Sequence, residues 1–183
     1  PPDAVTVYDG SSAGVDIDWT GDNDRLSANW TSSYDSESGI AGYWYAIGRT
    51  PGATDVVDWA SNSTFTSVTH TGLGLTEGQD YYFSIKAQNS ALLMSDISIS
   101  DGQTLDETTP VQSNWNPAKS AYINSTSIAL TLDTDENATC RWSLSDNGYS
   151  AIPAGNTCSG GGTSSHSCSV SGMTTGAEFV YIS

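Results

Sequence analysis

The sequence predicts an all-β protein of two consecutive sandwiches. Three observations carry that expectation. No stretch keeps a 3.6-residue apolar period, and short alternating runs punctuated by Gly, Asp, Asn and Ser dominate instead. The pattern breaks at a polar segment containing Gly and Pro, Asp101 to Pro110, and then restarts. At 183 residues, the chain is longer than the roughly 150 residues usual for one domain.

Taken in order, Ala4 to Tyr8 is the first candidate strand, and Val15 to Trp19 alternates apolar and acidic residues. Leu26, Ala28 and Trp30 share one face of the next run, and Tyr43 to Ile47 follows. Val56 to Trp59 and Phe65 to Thr71 are shorter. Tyr81 to Ala87 is the strongest strand, with Tyr81, Phe83, Ile85 and Ala87 on one side. Ile97 to Ile99 closes the first half. Beyond the boundary, Ile128 to Leu132 alternates like Leu26 to Trp30, and Cys140 to Leu144 alternates like Tyr43 to Ile47. Ser167 to Val170 and Phe179 to Ile182 complete the set. The domains implied are 1–106 and 107–183, with Trp30 and Trp142 assigned to their cores.

Charge narrows the function. Twenty-one acidic residues face five Lys and Arg, a formal net charge of −16. The first half carries −12 of it and the second −4. Nucleic-acid binding draws on Lys and Arg to release counterions, and anionic lipid attracts basic segments, so both partners are excluded. No apolar run approaches the ~18 residues of a membrane-spanning helix. Pro1-Pro2-Asp3 has neither the basic nor the apolar region of a signal peptide, so the chain reads as mature or excised.

The candidate chemistry is sparse. His70 and His166 stand far apart, and no nucleophile-elbow, zinc-protease or phosphate-loop motif occurs, so no catalytic residue is assigned. Cys158 and Cys168 flank a Ser- and Gly-rich loop that lets them bridge, leaving Cys140 odd. Asp16, Asp18, Asp22 and Asp24 alternate around Trp19-Thr20-Gly21, with Asp35 and Glu37 further on. Two readings fit the four aspartates: a weak calcium site of hard oxygens, or a solvated acidic edge that blocks edge-to-edge pairing. No other cofactor is implied. Trp19, Trp44 and Trp59 fall outside the core phase, so each is either a sugar-stacking contact or covered by a neighbour. Asn29, Asn62, Asn124 and Asn137 begin N-x-S/T sequons.

The first half resembles a fibronectin type III domain. The residues that carry the resemblance are Pro1-Pro2, Leu26-x-Ala28-x-Trp30, Ile40-x-x-Tyr43-x-Tyr45-x-Ile47 and Leu75-x-x-Gly78-x-x-Tyr81-x-Phe83-x-Ile85-x-Ala87-x-Asn89. It implies an immunoglobulin-like sandwich, with Tyr81 as the corner residue whose hydroxyl bonds back to nearby backbone. Asp35 to Ile40, followed by Tyr45 to Gly48, is similar to repeats of bacterial surface and secreted proteins. The second half is similar more loosely. Met173-x-x-Gly176-x-x-Phe179 repeats the corner with Phe in place of Tyr, and Leu132 stands where the B-strand Trp would be. On this resemblance the second sandwich is truncated before its G strand. Cys140 would then pair with a cysteine just past Ser183.

The expected role is a non-catalytic, extracellular spacer or adhesion segment of a larger bacterial or archaeal surface or secreted protein. Its partners would be other domains of the same polypeptide or neighbouring surface subunits. Two rivals stand beside it: a glycan-binding accessory module of a secreted enzyme, and a filament subunit completed by a donated strand.

Overall fold

The computed structural model describes residues 1–119, 121–122, 124–174 and 179–183. Gly176 of the repeated corner motif lies outside the described residues. The chain divides into two compact units, Pro1–Glu107 and Thr108–Ser183.

Unit 1 holds nine strands: β1 (Val7–Asp9), β2 (Trp19–Thr20), β3 (Arg25–Trp30), β4 (Ile40–Gly48), β5 (Val57–Ser61), β6 (Ser67–Thr71), β7 (Asp80–Asn89), β8 (Ser98–Ile99) and β9 (Gln103–Leu105). One sheet runs β1-β3-β6, and the other runs β2-β9-β7-β4-β5 with β8 also on β7. This is the fibronectin type III-like sandwich that the resemblance implies. Period-2 alternation decides which side of each strand is buried. On β7, Tyr81, Phe83, Ile85 and Ala87 are wholly buried, and they meet Leu26, Ala28 and Trp30 of β3 and Tyr43, Tyr45 and Ile47 of β4 in one core. Trp30 and Tyr43 pack edge to face with ring centroids 5.8 Å apart.

The start of the chain departs from the expected pattern. Pairing begins at Val7 rather than Ala4, and most of Val15 to Trp19 is loop. The first strand leaves its sheet at Gly10, whose φ of 108° an L side chain rarely adopts. Asn29 then pins the loop: its amide donates to the carbonyls of Gly10 and Val15, and its Oδ1 accepts from Gly14 N–H. Those bonds leave Val15 and Ile17 exposed. The chain rejoins structure as β2, parallel to β9 in the opposite sheet.

Unit 2 contains β10 (Gln112–Asn116), β11 (Ser127–Ala138), β12 (Trp142–Ser143), β13 (Thr163–Ser171) and β14 (Tyr181–Ile182), paired as β10-β11-β13 and β12-β14. β11 runs on to Ala138, past the expected end at Leu132, with a register break between Asp133 and Ala138. β12 and β14 are shorter than their apolar patterns suggest, and Phe179 is exposed. Residues 157–159 form a seam between the two sheets. Ser159 and Ser167 exchange N–H···O bonds of 2.8 and 3.1 Å on one side, and Cys158 N–H donates to Cys140 O at 2.9 Å on the other. Leu130, Leu132, Val170 and the three cysteines are buried as one cluster, with Trp115 and Trp142 packed against it.

Trp30 is 4% exposed at the centre of unit 1, and its Nε1 has no hydrogen-bond partner among the described residues. Trp30→Ala is therefore expected to cost about 3–5 kcal/mol through lost contact and a residual cavity. Trp30→Phe, which also removes the orphan donor, should cost well under half as much. Urea midpoints of the two variants check this, and an unchanged midpoint for Trp30→Ala would contradict the core assignment.

Candidate functional site

Tyr81 begins the buried row of β7, and its hydroxyl accepts the Thr76 N–H at 2.8 Å. This bond ties the turn before β7 to the strand itself. Tyr43 acts similarly across the core, where its hydroxyl accepts the N–H of Ser33 at 2.9 Å. Tyr45 pairs its hydroxyl with His70 Nδ1 at 2.8 Å, so His70 also serves packing.

Carboxylates gather where β1 leaves its sheet. Oxygens of Asp9, Asp16 and Asp101 lie within 4.8 Å of one another. Asp9 is fully buried. Its Oδ2 accepts Gly102 N–H at 2.9 Å, its Oδ1 accepts Gln103 Nε2 at 3.1 Å, and Gln103 Nε2 also reaches the Ser27 carbonyl at 3.2 Å. Asp16 Oδ1 accepts the Asp9 N–H at 2.7 Å. Burial pushes the Asp9 carboxyl up to about 6; the bonds from Ser100, Gly102 and Gln103 oppose this, and the Asp16 charge adds to it. Gly102, with φ of 106°, brings its backbone against this carboxylate; an added Cβ would lie 2.6 Å from the Tyr82 ring. Chemically, three such groups can present hard oxygens to a cation.

The four aspartates of the alternating run separate in space. Asp16 joins Asp9 and Asp101, whereas Asp22 holds Arg25 Nε at 2.8 Å and accepts the Asp24 N–H at 3.0 Å. Asp18 is exposed and contributes its carbonyl to Thr104 N–H. Asp9 and Asp101 escaped the sequence reading because their proximity depends on strand pairing; the one local signal is that each precedes a glycine at a strand end. Asp35 binds the Ser38 N–H, Asn89 Nδ2 and the Ser38 hydroxyl, and these bonds hold its carboxyl down to about 2.

Trp19 stands apart from Trp44 and Trp59. Trp19 is 62% exposed on β2, while Trp44 and Trp59 lie on β4 and β5 toward the opposite edge of the same sheet. Four strand spacings, about 19 Å, separate β2 from β5. Lys86 Nζ lies 4.1 Å from the Trp59 ring centroid and covers that face, and Trp44 Nε1 reaches Gln88 Oε1 at 3.4 Å. The sequons also divide. Asn29 is buried with its amide committed to the loop it pins, so it is closed to glycosylation in the folded unit. Asn62 Nδ2 is bonded to the carbonyls of Phe65 and Ser67, whereas Asn124 and Asn137 are exposed.

In unit 2 a cavity of about 340 Å³ is lined by Asn114, Asp133, Ser159, Ser165 and His166, among others. Asp133 takes 2.9 and 2.8 Å bonds from Asn114 Nδ2 and Ser165 Oγ, which lower its pKa together with the His166 charge. His166 Nε2 pairs with Thr134 Oγ1 at 3.0 Å. Cys158 is bonded to Cys168, and Cys140 is a free, buried thiol.

No family model matches the chain, and no curated protein matches it. Solved structures do. Titin module A71 from human cardiac muscle aligns with 52% of this chain and 88% of its own, at 21% identity and a TM-score of 0.34. The FN1–FN3 domains of chicken CNTN1 align with the whole chain at 15% identity and a TM-score of 0.43, and this chain spans 57% of that structure's length. Neither likeness bears on a ligand or partner.

The buried Asp9 carboxyl makes a signed prediction. Its folded pKa is about 6 against 3.8 for the ordinary group, so between those values the folded state binds more protons than the unfolded one. Stability from this group is full below about pH 4 and falls as pH rises toward 6, by about 3 kcal/mol. Urea unfolding of unit 1 between pH 4 and 7 should show this loss, and Asp9→Asn should flatten it. An equal slope in both proteins would contradict the assignment.

Proposed function

We propose that the chain is a non-catalytic, extracellular spacer or adhesion segment. In this reading, two tandem fibronectin-like modules, 1–106 and 107–183, form part of a larger bacterial or archaeal surface or secreted protein. One observation carries the reading: the buried Asp9, Asn29, Tyr43 and Tyr81 side chains of unit 1 are spent on holding strands and loops together. Asp9 ties β1 to β9, Tyr81 and Tyr43 tie loops to the core, and Asn29 pins the loop before β2. Catalysis draws on groups left free to meet a substrate. The acidic surface keeps such modules soluble and apart from like-charged neighbours. Partners in this reading are adjoining domains or neighbouring surface subunits, and no cofactor is required. The disulfide of unit 2 agrees with an oxidising compartment. No helix among the described residues is long and apolar enough to cross a membrane.

The glycan-binding rival makes a different forecast for Trp19 and Trp59. Affinity electrophoresis of the purified chain through gels containing soluble xylan, β-glucan or mannan, with parallel sedimentation on cellulose and chitin, separates the two. The spacer reading expects unchanged mobility and no co-sedimentation. Retention that is lost in Trp19→Ala or Trp59→Ala would replace it with a carbohydrate-binding module.

A further inference from the structure

The three cysteines of unit 2 stand in one row. Arg141 and Thr157 form an antiparallel bridge, so the next pair along, Cys140 and Cys158, lies directly opposite, joined by the 2.9 Å bond from Cys158 N–H to Cys140 O. Ser159 and Ser167 form a second antiparallel bridge, which places Cys158 opposite Cys168 on the other side, with Cα atoms 4.2 Å apart. Directly opposed residues of an antiparallel pair project to the same side. All three side chains are buried, at 3%, 3% and 0% exposure for Cys140, Cys158 and Cys168, in a single cluster. Cys158 therefore sits between a free thiol and its own disulfide partner.

We propose that these residues form an internal thiol–disulfide relay, in which Cys140 displaces Cys168 from Cys158 and shifts the covalent clip from one sheet of unit 2 to the other. In the first state, the bond ties residues 157–159 to β13, in the three-stranded sheet. In the second, it ties them to the segment leading into β12, in the two-stranded sheet. The chemistry balances within the protein. Cys140 gives its proton to solvent, and its thiolate attacks the Cys158 sulfur. The Cys140–Cys158 bond forms as the Cys158–Cys168 bond breaks, and Cys168 leaves as a thiolate and takes up a proton. One disulfide and one thiol are present before and after, so no oxidant or reductant is consumed. Cys140 and Cys168 stand on opposite sides of Cys158 in the backbone pairing, so the attacking and leaving groups belong to different strands. Burial raises the pKa of the Cys140 thiol, so the first state persists until the seam opens.

Three cysteine variants test the relay in the full chain. Cys168→Ser, incubated with oxidised glutathione at pH 8.5, should form a Cys140–Cys158 disulfide, read by non-reducing peptide mass spectrometry. Cys158→Ser should form none, because Cys140 and Cys168 are two strand spacings apart, about 9–10 Å, beyond the ~7 Å that a disulfide spans. A folded Cys168→Ser chain that keeps both thiols free would overturn the proposal. The wild-type chain decides the matter if that variant does not fold. On incubation at pH 8.5 with N-ethylmaleimide, label should accumulate on Cys168 as well as Cys140, at least tenfold faster than in Cys140→Ser. Label confined to Cys140, or equal labelling of Cys168 in the two proteins, would overturn the relay.

Discussion

One buried carboxylate organises the first unit. A sandwich is held mainly by apolar contact between its sheets, and that force has no direction. Register between the sheets needs directional bonds. Asp9 supplies them, because it belongs to the β1-β3-β6 sheet and accepts from Gly102 and Gln103 in the other. Gln103 completes the link by donating to the Ser27 carbonyl on β3. The cost is a desolvated charge, visible as an elevated pKa. Around this strap the start of the chain changes sheets, from β1 on one side to β2 on the other. The loop between them takes its shape from Asn29.

The second unit solves the same problem with covalent chemistry. Its sheets meet along residues 157–159, and Cys158 anchors that seam to β13. Among the described residues its buried cluster is smaller, with two leucines, one valine and three cysteines as its buried members. Small cores rely more heavily on cross-links, because less apolar surface leaves the water. A polar strap in one unit and a sulfur strap in the other thus do equivalent work. Both spend polar or sulfur groups on holding strands together.

What could be read in advance follows from the range of each interaction. The inward row of β7 and the facing residues of β3 and β4 follow from alternation within single strands, and the structure buries them together. The split first strand is invisible to alternation, because Val15 to Trp19 has a strand-like pattern but lacks a partner for most of its length. Its fate is set by Asn29, which as a sequon residue beside Trp30 gave no sign of its amide bonds. The candidate site was legible only in part. Spacing singles out Asp16, but Asp9 and Asp101 reach it through the pairing of β1 with β3 and the return of the chain at Gly102. The tryptophans differ for a similar reason: parity tells which side of a strand a ring takes, and strand order, unknown from sequence, puts Trp19 and Trp59 toward opposite edges.

The strap at Asp9 is the centre of this account, and it has a direct spectroscopic signature. Carbon-detected NMR titration of the side-chain carboxyls reports Asp9 by itself, and the Gly102 amide, bonded to Asp9 Oδ2, serves as an independent witness. The Asp9 carboxyl carbon is expected to titrate with a midpoint at about 6, and the Gly102 amide to shift with the same midpoint. An Asp9 midpoint near the ordinary 3.8, with a Gly102 amide indifferent to it, would show that the carboxylate is solvated and that something else holds the two sheets in register.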